Sequence, residues 1–177
     1  MMPMLVTRRT FTSSAGALLA GLGLAGPAGA AAEISHACEA IHQEVRFAAS
    51  PSRVYDALTT TEQFDHVVRL SAAMRLGMVS AKVPTSIDAV PGGAFTLFGG
   101  YVTGRTLELV PNSRIVQAWR SGGWPPGAYS IVTFVLAGHG TGTTLTLDHV
   151  GFPNGDGADL AQGWHLNYWE PLAKYLA

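Results

Sequence analysis

The stretch 101–120, YVTGRTLELVPNSRIVQAWR, decides the fold. Apolar and polar residues alternate on either side of Pro111-Asn112, a pair suited to a tight turn, so the segment reads as two antiparallel strands, 101–110 and 113–120. Working outward, the same period of two marks 94–98 before it and 129–136 and 143–150 after it. Gly99-Gly100 and the run 138–142 supply further turns, which makes the whole an antiparallel meander. Upstream, Ile41, Val45 and Phe47 alternate with His42, Glu44 and Arg46 as an opening strand.

Two short helices are expected to follow that strand. Ser50 caps the first with Pro51 in its first turn, and Thr60-Thr61-Glu62-Gln63 has the form of a capping box for the second, which carries Phe64, Val67 and Val68. Residues 71–90 are the least legible and read as a loop with one or two short strands. At the other end, Asp156 or Asp159 is expected to cap a final helix. Its Leu160, Trp164, Tyr168, Leu172 and Tyr175 recur every three to four residues, an apolar face able to lie across the sheet. Pro171 lies inside that helix and is expected to kink it, because proline has no N–H for the carbonyl of Asn167.

The first 32 residues stand apart. Arg8 and Arg9 are their only charges, and Thr7-Arg8-Arg9-Thr10-Phe11 resembles the twin-arginine signal pattern. A mildly apolar, glycine-interrupted run follows, ending at Ala28-Gly29-Ala30, so cleavage is expected after Ala30 or Ala32. Residues 1–32 therefore read as an export signal, 33–40 as a short lead-in and 41–177 as one domain. The expected location is periplasmic or extracellular, reached through the twin-arginine export machinery. Removing Arg8 and Arg9 takes the formal net charge from −1 to −3.

Composition and motifs exclude several classes of function. One cysteine, Cys38, allows no internal disulfide, and a chain with 11 basic against 12 acidic residues is no basic nucleic-acid binder. Gly21-Leu22-Gly23-Leu24-Ala25-Gly26 satisfies G-x-G-x-x-G, but no strand precedes it and cleavage would remove it. The six histidines are scattered without metal-ligand spacing, and Asn154-Gly155-Asp156-Gly157 lacks the later ligands of a calcium loop. Neither a nucleophile elbow nor a phosphate-binding loop is present, so no cofactor or metal is implied. His149 alternates onto the same face as Leu145 and Leu147 and so should point into the core, where an imidazole can orient a ligand or act as a general base. His165 and Glu170 on the final helix are weaker candidates. Trp164, Tyr168 and Trp169 on the helix, with Tyr101 and Trp119 on strands, supply aromatic walls for an apolar pocket.

A strand, two short helices, a meander and a C-terminal helix make up the layout of an α+β helix-grip domain, with a curved antiparallel sheet of six or seven strands. A closer resemblance is carried by Gly92-Gly93-Ala94-Phe95, Val102-Thr103-Gly104, Leu109-Val110-Pro111, Ile115 to Arg120, Trp124-Pro125, Gly142-Thr143-Thr144-Leu145, Gly151-Phe152-Pro153, Gly163-Trp164 and Tyr168-Trp169. In this order they resemble the C-terminal domain of the activator of heat-shock protein 90 ATPase, a family of the START-like (SRPBCC) superfamily. The resemblance implies an apolar cavity between sheet and long helix. Three functions follow as expectations. The first is binding of a small hydrophobic or amphipathic ligand in that cavity, with Tyr101, Trp119, His149, Trp164 and Tyr168 as candidate wall residues. The second is a cavity-based enzyme of cyclase or hydrolase type using His149. The third is a chaperone-associated interaction module.

Overall fold

The computed structural model describes residues 39–80 and 82–177. The stretch read as an export signal, its expected cleavage site, most of the lead-in and Cys38 lie outside the described residues.

Period-two alternation places Ile41 and Phe47 of β1 (Ala40–Phe47) in the core and exposes His42 and Arg46. Helices α1 (Pro51–Thr59) and α2 (Thr61–Leu70) follow where expected. Ser50 accepts a hydrogen bond from the Arg53 N–H at 3.4 Å. The expected capping box does not form, because the Thr60 side chain makes no cap bond. Thr61 instead accepts from the Ile87 N–H at 3.0 Å, fastening α2 to the far edge of the sheet.

Residues 71–90 contain a helix that periodicity does not announce, α3 (Ala72–Arg75), capped by Ser71. The two-residue strand β2 (Ser86–Ile87) comes next. One turn of helix is too short to show a 3.6-residue period, and Ser71 is its only signal.

The meander comprises β3 (Ala94–Leu97), β4 (Val102–Val110), β5 (Arg114–Ser121), β6 (Ser130–His139) and β7 (Gly142–Val150). With β1 and β2 it forms one antiparallel seven-stranded sheet in the order β1-β7-β6-β5-β4-β3-β2. The first strand thus pairs with the last, Ile41 opposite His149 and Phe47 opposite Thr143.

The turns differ in detail from expectation. Phe98–Gly100 is a 3₁₀ turn rather than a two-residue hairpin, and a side chain at Gly99 would run into the backbone of Ser80. Residues 111–113 join β4 to β5 with Asn112 at φ 61°, and the β6–β7 turn narrows to Gly140-Thr141. A bulge between Thr106 and Glu108 breaks the alternation in β4 and turns Leu107 outward.

The final helix crosses the inner face of the sheet as α4 (Gly157–Trp164), a wider π-helical turn (His165–Trp169) and α5 (Glu170–Leu176). Trp164, Tyr168, Trp169, Leu172 and Leu176 are buried against the sheet and α2. Pro171 does not end the helix. The turn just before it widens, and the Glu170 N–H reaches back five residues to the His165 carbonyl, relaxing the crowding that the proline ring imposes. Asp156 occupies the N-cap position, but its side chain caps nothing, and Asp159 lies one turn inside. Glu39 takes over from the lead-in, its carboxylate accepting from the N–H groups of Gly155 at 3.0 Å and Gly157 at 3.2 Å.

Candidate functional site

A cavity of about 690 Å³ opens where α4 and its π turn leave the sheet. Its floor is Val102 and Trp119 on β4 and β5, and its roof is Leu160, Trp164 and Tyr168. One rim is α3 and the residues after it, Ala73, Leu76, Met78 and Val79; the other holds Gly123, Trp124, Asp156 and Asp159. Leu76 and Met78 are each 73% exposed, so apolar surface continues from the cavity to its mouth.

Of the five wall residues expected from the sequence, Trp119, Trp164 and Tyr168 line the cavity and are almost fully buried. Tyr101 also lines it but is half exposed at the mouth. His149 is brought to the same cluster yet sits one layer behind the wall, with no exposure at all. A period of two states which face a side chain takes, not how many layers of packing cover it.

The geometry around His149 settles its hydrogen-bonding state. The Trp164 indole N–H donates to Nδ1 at 3.0 Å, and an indole can only donate, so Nδ1 is the accepting nitrogen. A neutral ring then carries its proton on Nε2, which donates to Ser130 Oγ at 2.7 Å. The Ser130 hydroxyl passes its own hydrogen to the Trp119 carbonyl at 3.1 Å. Burial lowers the His149 pKa from its ordinary 6.5 to about 4, which keeps the ring neutral at pH 7. Both nitrogens are occupied, and the chain of bonds ties the roof of the cavity to its floor. His165 and Glu170 contact each other at 3.2 Å, and neither lines the cavity.

Two devices set the shape of the site and are not signalled by any local pattern. Asp156, released from capping, accepts from the Trp124 indole N–H at 2.7 Å and so latches the β5–β6 connection onto the start of α4. The Arg120 guanidinium stiffens that connection by donating to the carbonyls of Trp124, Pro125 and Ala128. On the opposite rim, the Asn167 side-chain oxygen accepts from the Ala73 N–H at 2.9 Å, joining the π turn to α3. Arg120 and Trp124-Pro125 stand within the quoted motifs, but their partners are distant in sequence or main-chain atoms. Among the described residues, no three His, Cys, Asp or Glu side chains gather to hold a metal ion.

A seven-stranded antiparallel sheet gripping a C-terminal helix, with an apolar cavity between them, defines an α+β helix-grip domain. Residues 48–177 match the family described as Activator of Hsp90 ATPase homolog 1-like protein, and the chain belongs to it. The human protein named activator of 90 kDa heat shock protein ATPase homolog 1 is 29% identical over 128 residues, 72% of this chain and 34% of that protein. An uncharacterized Schizosaccharomyces pombe protein is 38% identical over 89 residues, 50% of this chain and 26% of its own length. The chain thus spans about a third or less of these relatives. Among solved structures, an HSP90 activator from Plasmodium falciparum superposes with a TM-score of 0.66 at 23% identity, covering 77% of this chain and 95% of that one. The Aha1 dimer from Colwellia psychrerythraea gives 0.60 at 19%, covering 78% and 96%. At such identities, these two similarities bear on the fold.

Proposed function

We propose that this domain is a chaperone-associated interaction module, engaging an ATPase of the 90-kDa heat-shock class through its folded surface. The observation that carries this reading is the family match over 48–177, together with relatives that are themselves named activators of that ATPase. The test is isothermal titration of the full chain against a purified chaperone of that class, with ATP turnover followed in parallel. Saturable binding with faster turnover is expected. No binding in any nucleotide state would overturn the reading.

The cavity favours a second reading, that the domain binds a small, largely apolar ligand between sheet and helix. Its volume of about 690 Å³ falls within the roughly 300–1,000 Å³ of small-molecule sites, and its walls are mostly carbon. Catalysis by His149 has less support, because a general base needs a free nitrogen near the substrate and both of its nitrogens are held by Trp164 and Ser130.

A further inference from the structure

The sheet ends in two edge strands, and they are treated differently. On β2 the Ile87 N–H and C=O are both taken by the Thr61 hydroxyl, at 3.0 and 3.3 Å. The opposite edge is β1, eight residues long. One hydrogen bond fixes which backbone groups of β1 point outward. The Leu136 N–H donates to the Ser113 carbonyl at 2.8 Å, so even-numbered residues of β6 bond to β5 and odd-numbered ones to β7. Carried across β7, the alternation bonds Ile41, Gln43, Val45 and Phe47 to that strand. The N–H and C=O groups of Ala40, His42, Glu44 and Arg46 are thus directed away from the sheet, and no backbone partner takes them among the described residues.

We infer that two copies of the chain pair antiparallel through β1, about a twofold axis at Val45, with Glu44 of each opposite Arg46 of the other. Charged side chains on an edge strand usually guard it against pairing, but Glu44 and Arg46 carry opposite signs two residues apart. Both are exposed, neither has an ionic partner among the described residues, and across β7 they face only Thr146 and Thr144. Because the even-numbered residues carry the outward groups, self-pairing sets even against even. A register centred on Glu44 puts the two carboxylates face to face. One centred on Gln43 sets Glu44 against His42, which Asp148 already engages at 2.7 Å. Centring on Val45 makes both opposite-charge contacts at once, and each Glu44–Arg46 pair also exchanges both of its backbone hydrogen bonds. On the inner face the half-buried Val45 then meets Val45 of the second copy.

The test is sedimentation equilibrium of the full chain and of two charge reversals, Glu44→Arg and Arg46→Glu. The unmodified chain is expected to dimerise with a Kd of about 10–100 μM, in keeping with a small contact. Each reversal places like charges at both symmetric contacts and should weaken the dimer about tenfold or more. An equimolar mixture of the two variants restores opposite charges at both contacts, and so does one chain carrying both substitutions; both should dimerise like the unmodified chain. Val45→Cys, in a chain whose single cysteine is replaced by Cys38→Ala, should oxidise to a disulfide-linked dimer. A dimer that survives either reversal, or is not restored by mixing, overturns the assignment of β1 as the contact. A chain that stays monomeric at about 1 mM overturns self-pairing and leaves the edge to an extended segment of another protein. Both reversals fall on exposed side chains, so the variants are expected to fold.

Discussion

His149 carries the sharpest residue-scale consequence. Its folded pKa of about 4 lies below its ordinary 6.5, so the unfolded chain binds the proton more readily. Its contribution to stability is therefore complete above pH 6.5, declines as the pH falls through the interval, and is gone below pH 4. Across that interval the loss is on the order of 3 kcal/mol. Urea unfolding at pH 7 and pH 4 should show this drop in the unmodified protein. The drop should be missing from the change seen in His149→Phe, since both proteins share the carboxylates that titrate over the same range. Identical pH dependence in the two would contradict the buried neutral ring. The inward direction of His149 is legible from its spacing to Leu145 and Leu147. Its partners are not, because Ser130 and Trp164 lie on different elements and no local pattern couples them. Asp156 departs from expectation for a related reason. An N-cap expectation counts only neighbouring N–H groups, and here a tryptophan 32 residues away in sequence takes the carboxylate.

At the scale of elements, strand and helix types follow closely from period and capping. The departures occur where packing overrides local preference: the bulge in β4, the one-turn helix α3 and the π turn ahead of Pro171. Gly104 shows how tightly the strands are set. A Cβ there would lie 2.1 Å from the Ala118 carbonyl oxygen and 2.3 Å from Phe95 Cζ, on the strand to either side. Gly104→Ala should cost at least about 2 kcal/mol, because backbone on one side and a buried ring on the other must both shift. Gly163 in α4 is the counterpart, since a Cβ added there would meet nothing within 4 Å. Gly163→Ala should stabilise the chain by about 0.5–1 kcal/mol through helix propensity. Thermal unfolding of both variants checks the pair, and a mild Gly104→Ala would mean that the β3–β4–β5 packing is looser than these distances require.

At the scale of the whole molecule, the compartment decides which partner the domain meets. The helix-grip layout and the family can be read from ordered motifs across the meander. The cavity's dimensions cannot, since hydrophobic period does not say how far a helix stands off a sheet. We propose that residues 1–32 direct export, on the strength of Arg8, Arg9 and the glycine-interrupted apolar run. A reporter fused after residue 40 should appear outside the cytoplasm and stay inside when Arg8→Lys and Arg9→Lys are combined. Cytoplasmic retention of the unmodified fusion would overturn this and favour the chaperone reading. Efficient export would instead favour a ligand met beyond the membrane.

The pairing of β1 with β7 bears on timing. His42 and Asp148, 106 residues apart, touch at 2.7 Å across that seam. During synthesis β1 leaves the ribosome early and waits for almost the whole domain before β7, its neighbour in the sheet, exists. This strand, made early, is thus among the last to be locked. A nascent chain halted before residue 142 would carry Ile41 and Phe47 without their sheet neighbour, open to holdase chaperones or to aggregation. Closure of that seam reports that synthesis has reached the far end of the sheet, a natural point for any machinery that accepts only finished cargo.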